Sequence, residues 1–157
     1  MTTKKDSPGV YLPPPLIYVL TFIAAILIQK KIKVDDQFFH LQVAKITGMA
    51  FLIFALVFLI KSLTQFFRTK NTLILIKPAS SLQTNGIYKL TRNPMYAGLA
   101  LVYLGISCFI GNWWNILLFP LLLLIVQNFV ILKEEKYLER RFGQDYLDYK
   151  AAVRRWL

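Results

Sequence analysis

Two polar clusters interrupt an otherwise apolar chain. One is Gly86-Ile-Tyr88-Lys-Leu-Thr-Arg92-Asn93-Pro94-Met95-Tyr96, which leads into an apolar run; the other is Glu134-Glu135, which leaves one. Asn85-Gly86 is a turn signal because both residues tolerate positive φ. Pro94 disfavours α geometry at Asn93 and pre-sets φ for a new helix, so a helix should start near Pro94 or Met95. Arg92 and Asn93 then sit at a helix N-terminus, where free N–H groups and the macrodipole favour an anion. Read blandly, this is a capped start to a membrane helix with Arg92 as its basic flank. Glu134 and Glu135 close a helix at the end that prefers cations, a small electrostatic penalty that hints at use. Their bland reading is a solvated surface pair.

The elements that must position these residues read as membrane helices. The chain is 56% hydrophobic with a mean hydropathy of +0.49, above the apolar share of a soluble domain. The runs Ile46–Ile60, Met95–Trp114 and Asn115–Leu132 contain no Lys, Arg, Asp or Glu, as in a polytopic membrane protein. The expectation is all-α: a polytopic membrane helix bundle, with residues 1–157 as a single membrane domain and spans at about 14–29, 43–60, 95–110 and 113–132. Gly48, Ala50 and Ala55 would let the second span approach a neighbour closely. Gly111-Asn112 makes a tight hairpin, with Trp113 and Trp114 as interfacial anchors. Pro120 would kink the last span. Gln127 and Asn128 fall in its final turns and should face the bundle or a cavity. Thr72–Ile76 is too short to cross and is expected to lie extended at the surface. Phe142, Tyr146, Tyr149, Val153 and Trp156 form one helical stripe, predicting an amphipathic C-terminal helix.

Charge sets the expected orientation. Of 19 basic residues, 15 lie in the termini and the 61–93 loop, which the positive-inside rule places in the cytoplasm. Because the +11 net charge is spread beside apolar spans, it argues for a bilayer and against nucleic acid. A single cysteine, Cys108, and a single histidine, His40, leave no zinc cluster, so no metal is expected. The hairpin between the third and fourth spans must bring the two polar clusters to one membrane face.

Those clusters carry a resemblance. Gly86-Ile-Tyr88, then Arg92-Asn93-Pro94-Met-Tyr96-Ala-Gly98, a hydrophobic hairpin, and Glu134-Glu135 with Leu138, Phe142-Gly143, Tyr146 and Tyr149 together resemble the isoprenylcysteine carboxyl methyltransferase and phospholipid methyltransferase family. The resemblance covers about residues 71–157. It implies an integral-membrane methyltransferase that uses S-adenosylmethionine, enclosed by the regions at about 80–98 and 127–149. Ser81, Leu82, Gln83, Tyr88, Asn93, Pro94, Met95, Tyr96, Glu134 and Glu135 are the implied cofactor contacts. Arg92, Asn93 and Glu135 are the implied catalytic residues, and Gln127 and Asn128 the groups expected to meet a lipophilic or lipid acceptor. Asn93 stands where many members carry histidine, and asparagine can hydrogen-bond but not titrate. No arginine occurs between Asn128 and Lys133, where the prenylcysteine enzymes hold a substrate carboxylate. Methyl transfer from a sulfonium needs a dry, aligned site more than acid–base chemistry, and alignment supplies up to roughly 7–11 kcal/mol. The donor carboxylate would suit Arg92 or the helix N-terminus, and its cationic groups Glu134 or Glu135. The rival classes are a non-catalytic scaffold of the same fold and a four-span small-molecule transporter, though transporters generally need an ionisable group within the membrane.

Overall fold

The computed structural model describes residues 8–10, 12–69 and 80–157, all of it helix, turn and irregular chain. Helix α1 (Pro14–Lys31) starts on proline, whose missing N–H costs nothing at a first turn, and ends on Lys30 and Lys31. A short turn, α2 (Gln37–His40), leads into α3 (Gln42–Arg68). A 3₁₀ turn at Gly86–Lys89 precedes α4 (Pro94–Ile110). Then α5 (Trp113–Val126), a π-helical turn at Gln127–Ile131 and α6 (Leu132–Phe142) follow as one continuous helix, and α7 (Gln144–Ala152) closes the helical part. The stretch Thr72–Ile76 lies outside the described residues.

The hairpin between α4 and α5 is made by local chemistry. Gly111 takes the left-handed conformation, φ 70°, and its N–H bonds the Ser107 carbonyl. Asn112 Oδ1 then accepts from the Trp114 N–H at 2.9 Å, capping α5. Around this hairpin α1 packs on α5 and α4, while α3 packs along α4; α1 and α3 have no substantial contact with each other. The α3–α4 seam depends on missing side chains. A Cβ at Gly48 would lie 2.9 Å from Cys108 Cβ, and one at Gly98 2.8 Å from Leu59. Such close approach is how helices associate where lipid removes the hydrophobic drive. A second layer, Tyr18, Tyr103, Leu122, Val126 and Ile131, fills the space between α1, α4 and α5. At the far end Trp114 Nε1 donates to the Ile32 carbonyl at 2.9 Å, and Trp113 packs on Phe38 and Phe39.

Three helices are long and apolar enough to cross a membrane: Pro14–Lys31, Gln42–Arg68 and the continuous Trp113–Phe142; α4, with 17 residues, is shorter. Three boundaries differ from the sequence expectation. The last helix runs on past residue 132 to Phe142, so Glu134 and Glu135 lie within it and not at its C-terminus. Helix α3 continues past residue 60 to Arg68 because nothing breaks it, and Ser62 and Thr69 fold their hydroxyls onto carbonyls within the helix. The single C-terminal helix expected over residues 142–156 is divided. Gly143, at φ 54°, ends α6, and α7 stops at Ala152, leaving Val153 to Trp156 outside any helix. Pro120 lies within α5 without ending it.

Candidate active site

The hairpin returns the chain so that the start of α4 faces the start of α6. Tyr96 Oη donates to Glu134 Oε1 at 2.7 Å, and Arg92 Nη2 donates to Glu135 Oε1 at 2.9 Å. Between them lies a cavity of about 410 Å³, within the roughly 300–1,000 Å³ of small-ligand sites. Its walls are residues 81–83, Tyr88 and residues 92–96 on one side, and Glu134, Glu135, Tyr137 and Leu138 of α6 opposite. Tyr146 and Tyr149 of α7, Leu59, Leu63 and Phe66 of α3, and Pro14 and Pro15 of α1 complete the lining, with Phe66 packed against the cluster that holds Tyr146 and Tyr149.

The two adjacent glutamates have opposite situations. Glu135 is 5% exposed and saturated: Arg155 Nε and Nη2 each reach it at 2.8 Å, beside the bond from Arg92. Arg92 Nη1 also donates to the Lys150 carbonyl at 2.8 Å, while its Nε is buried without a partner among the described residues. Glu134 has the Tyr96 hydroxyl and no basic partner among the described residues. A carboxylate drawn out of bulk water with only a phenol beside it is costly, and a cation in the cavity would relieve that cost.

The remaining polar groups fix the wall. Thr91, fully buried, donates its hydroxyl to the Arg155 carbonyl at 2.9 Å, and the Asn93 side-chain amide donates to the same oxygen at 3.0 Å. Gln83 Nε2 donates to Ser81 Oγ at 2.9 Å. Tyr149 Oη donates to the Tyr88 carbonyl at 2.7 Å. Burial pushes the Tyr149 phenol up to about 12, partly opposed by Arg92; burial also raises Tyr88, with Tyr149 and Glu134 adding to it. Both phenols therefore stay protonated near neutrality, and Tyr149 acts as a hydrogen-bond donor. The hydrogen bond to Glu135 raises the Arg155 guanidinium, outweighing its desolvation.

The structure brings together Ser81, Leu82, Gln83, Tyr88, Arg92, Asn93, Pro94, Met95, Tyr96, Glu134 and Glu135 around one space. Gln127 and Asn128 are not in its wall. Gln127 Oε1 accepts from Trp156 Nε1 at 2.9 Å, and Asn128 is exposed. Arg92, expected to be open to an anion, is instead held by Glu135. Sequence reasoning did not name Arg155 as a site residue, and it put Tyr146 and Tyr149 in the family motif and the stripe without naming them as contacts. Their place in the aromatic stripe was the available signal; for Arg155 there was none.

The family model for phospholipid methyltransferase matches residues 43–145, from α3 into α7. The chain belongs to that family of membrane methyltransferases. An uncharacterized protein of Haemophilus influenzae is 41% identical over 66 residues, covering 40% of this chain and 100% of that protein. The protein-S-isoprenylcysteine O-methyltransferase of Schizosaccharomyces pombe is 39% identical over 72 residues, 46% of this chain and 30% of that enzyme. No solved structure matches.

Proposed function

We propose that the chain is an integral-membrane enzyme that moves a methyl group from S-adenosylmethionine to a lipophilic or lipid acceptor at the cytoplasmic membrane face. The observation that carries this reading is Glu134, a carboxylate without a cationic partner among the described residues, set in the wall of a mainly apolar cavity that is lined largely by the family-matched segment. S-adenosylmethionine, when bound, supplies an electrophilic methyl on a sulfonium. The donor set fits it: Glu134 for its positive charge, the first N–H groups of α4 for its carboxylate, and tyrosine and leucine side chains for its adenosine. Glu135, Arg92 and Asn93 hold the wall rigid, so the reacting groups meet already aligned and away from water.

The acceptor enters from the side. Leu59, Leu63 and Phe66 of α3, Pro14 and Pro15 of α1 and Leu99 of α4 give the cavity an apolar border, and among the described residues α1 and α3 have no substantial contact with each other. An acyl or prenyl chain fits such a border. With α4 as a fourth, short crossing of about 25 Å at ~1.5 Å per residue, both termini and the cavity lie on the side richest in Lys and Arg, the cytoplasmic one.

Titration of detergent-purified protein with S-adenosylmethionine tests the reading, with saturable binding as the expected result. Absence of saturable binding overturns it and leaves a non-catalytic scaffold. Radiolabelled methyl donor with a lipid extract then identifies the acceptor.

A further inference from the structure

The C-terminal segment after α7 doubles back along the residues that precede α4. Arg92 N–H donates to the Arg154 carbonyl at 2.9 Å, and Thr91 and Asn93 both donate to the Arg155 carbonyl. The Arg155 side chain meanwhile grips both oxygens of Glu135, and Trp156 reaches Gln127. None of the residues 153–156 lines the cavity, yet Arg92, Asn93 and Glu135, which they hold, all do. A planar guanidinium bonded to both carboxylate oxygens fixes the orientation of Glu135 as well as its position, and Glu135 in turn fixes Arg92.

We propose that Arg155 is a positioning residue, and that Val153–Trp156 is a strap setting the shape of the donor-facing wall from behind. This rests on the donor site proposed above. Without the strap the loop 91–93 loses the partners for one backbone and two side-chain donors. Glu135 then turns toward its remaining arginine, and the wall opposite Glu134 loosens. The donor would still find its charge partner but not the enclosed geometry.

The test is donor affinity of the full chain in detergent, read with S-adenosylmethionine and with the melting temperature of each variant. Arg155→Ala should weaken binding tenfold or more, and Arg155→Lys should recover part of that loss. In a Glu135→Gln background Arg155→Ala should add less than a twofold loss, since the two act through one contact. Arg140→Ala, which removes an exposed arginine from α6, should stay within twofold of wild type. Thr91→Val, which removes a strap contact outside the cavity, should weaken binding at least threefold. Folded Arg155→Ala or Thr91→Val protein that binds like wild type overturns the strap. Unfolding of both variants assigns the segment to fold stability and overturns it as well. Failure of wild type to bind instead overturns the donor site itself.

Discussion

Replacing Glu134 with glutamine separates binding from stability. The amide keeps the shape and an oxygen to accept from Tyr96, whose hydroxyl lies 2.7 Å from Oε1, but removes the charge. A hydrogen bond to a charged group contributes about 1.5–3 kcal/mol, so losing that charge should weaken binding of a cationic donor by roughly 10- to 150-fold. The unliganded protein should respond in the opposite sense. Glu134 has no basic partner among the described residues, so neutralising it relieves desolvation, at about 1–3 kcal/mol for one poorly satisfied polar group. At roughly 2–4 °C per kcal/mol for a chain of this size, the melting temperature should rise by several degrees. Isothermal titration and a thermal melt in the same detergent measure both quantities. Unchanged affinity, or a fall in melting temperature, would refute the assignment of Glu134 as the cation site.

Glu135→Gln should behave differently, costing about 3–5 kcal/mol because it strands Arg92 in a buried position; equal stability in a thermal melt would contradict the network. Leu63→Trp should raise the KM for a lipophilic acceptor while leaving donor affinity within twofold, and a donor defect would place the acceptor mouth elsewhere. Gly48→Leu should disrupt the α3–α4 seam, where a Cβ alone would come within 2.9 Å of Cys108. Overpacking there costs about 1–3 kcal/mol or more, visible as a lower melting temperature. Tyr149→Phe leaves the Tyr88 carbonyl unsatisfied, a loss of about 1–3 kcal/mol. Because the phenol ionises near 10 when unfolded and about 12 when folded, its contribution is complete below pH 10. It is lost as pH rises through about 12, so the variant's alkaline limb should be flatter.

Much of this site was legible because its signals are local. Pro94 and Gly111-Asn112 mark the ends of α4, and uncharged runs mark the bundle; together they require the Arg92 and Glu134 regions to meet. What stayed hidden depends on pairing between distant residues. Nothing in the sequence says that Arg92 bonds Glu135 in place of a ligand, or that Arg155 completes the set. The aromatic stripe from Phe142 to Trp156 has helical spacing, yet Gly143 sits within it, and its positive φ divides the helix. Periodicity reports which side chains are apolar but not where the chain turns.

The π-helical turn at Gln127–Ile131, closed by the Leu132 N–H on the Gln127 carbonyl, has a consequence for length. Each residue of an α-helix advances the direction of its side chain by about 100°, so one additional residue re-aims everything downstream. Deleting a residue between 127 and 131 would restore regular winding and swing the acidic doublet by roughly that angle, away from Tyr96 and Arg92. Here the number of residues is a clock setting: the exposed positions Asn128 and Phe129 should accept many side-chain replacements, but the turn neither an insertion nor a deletion.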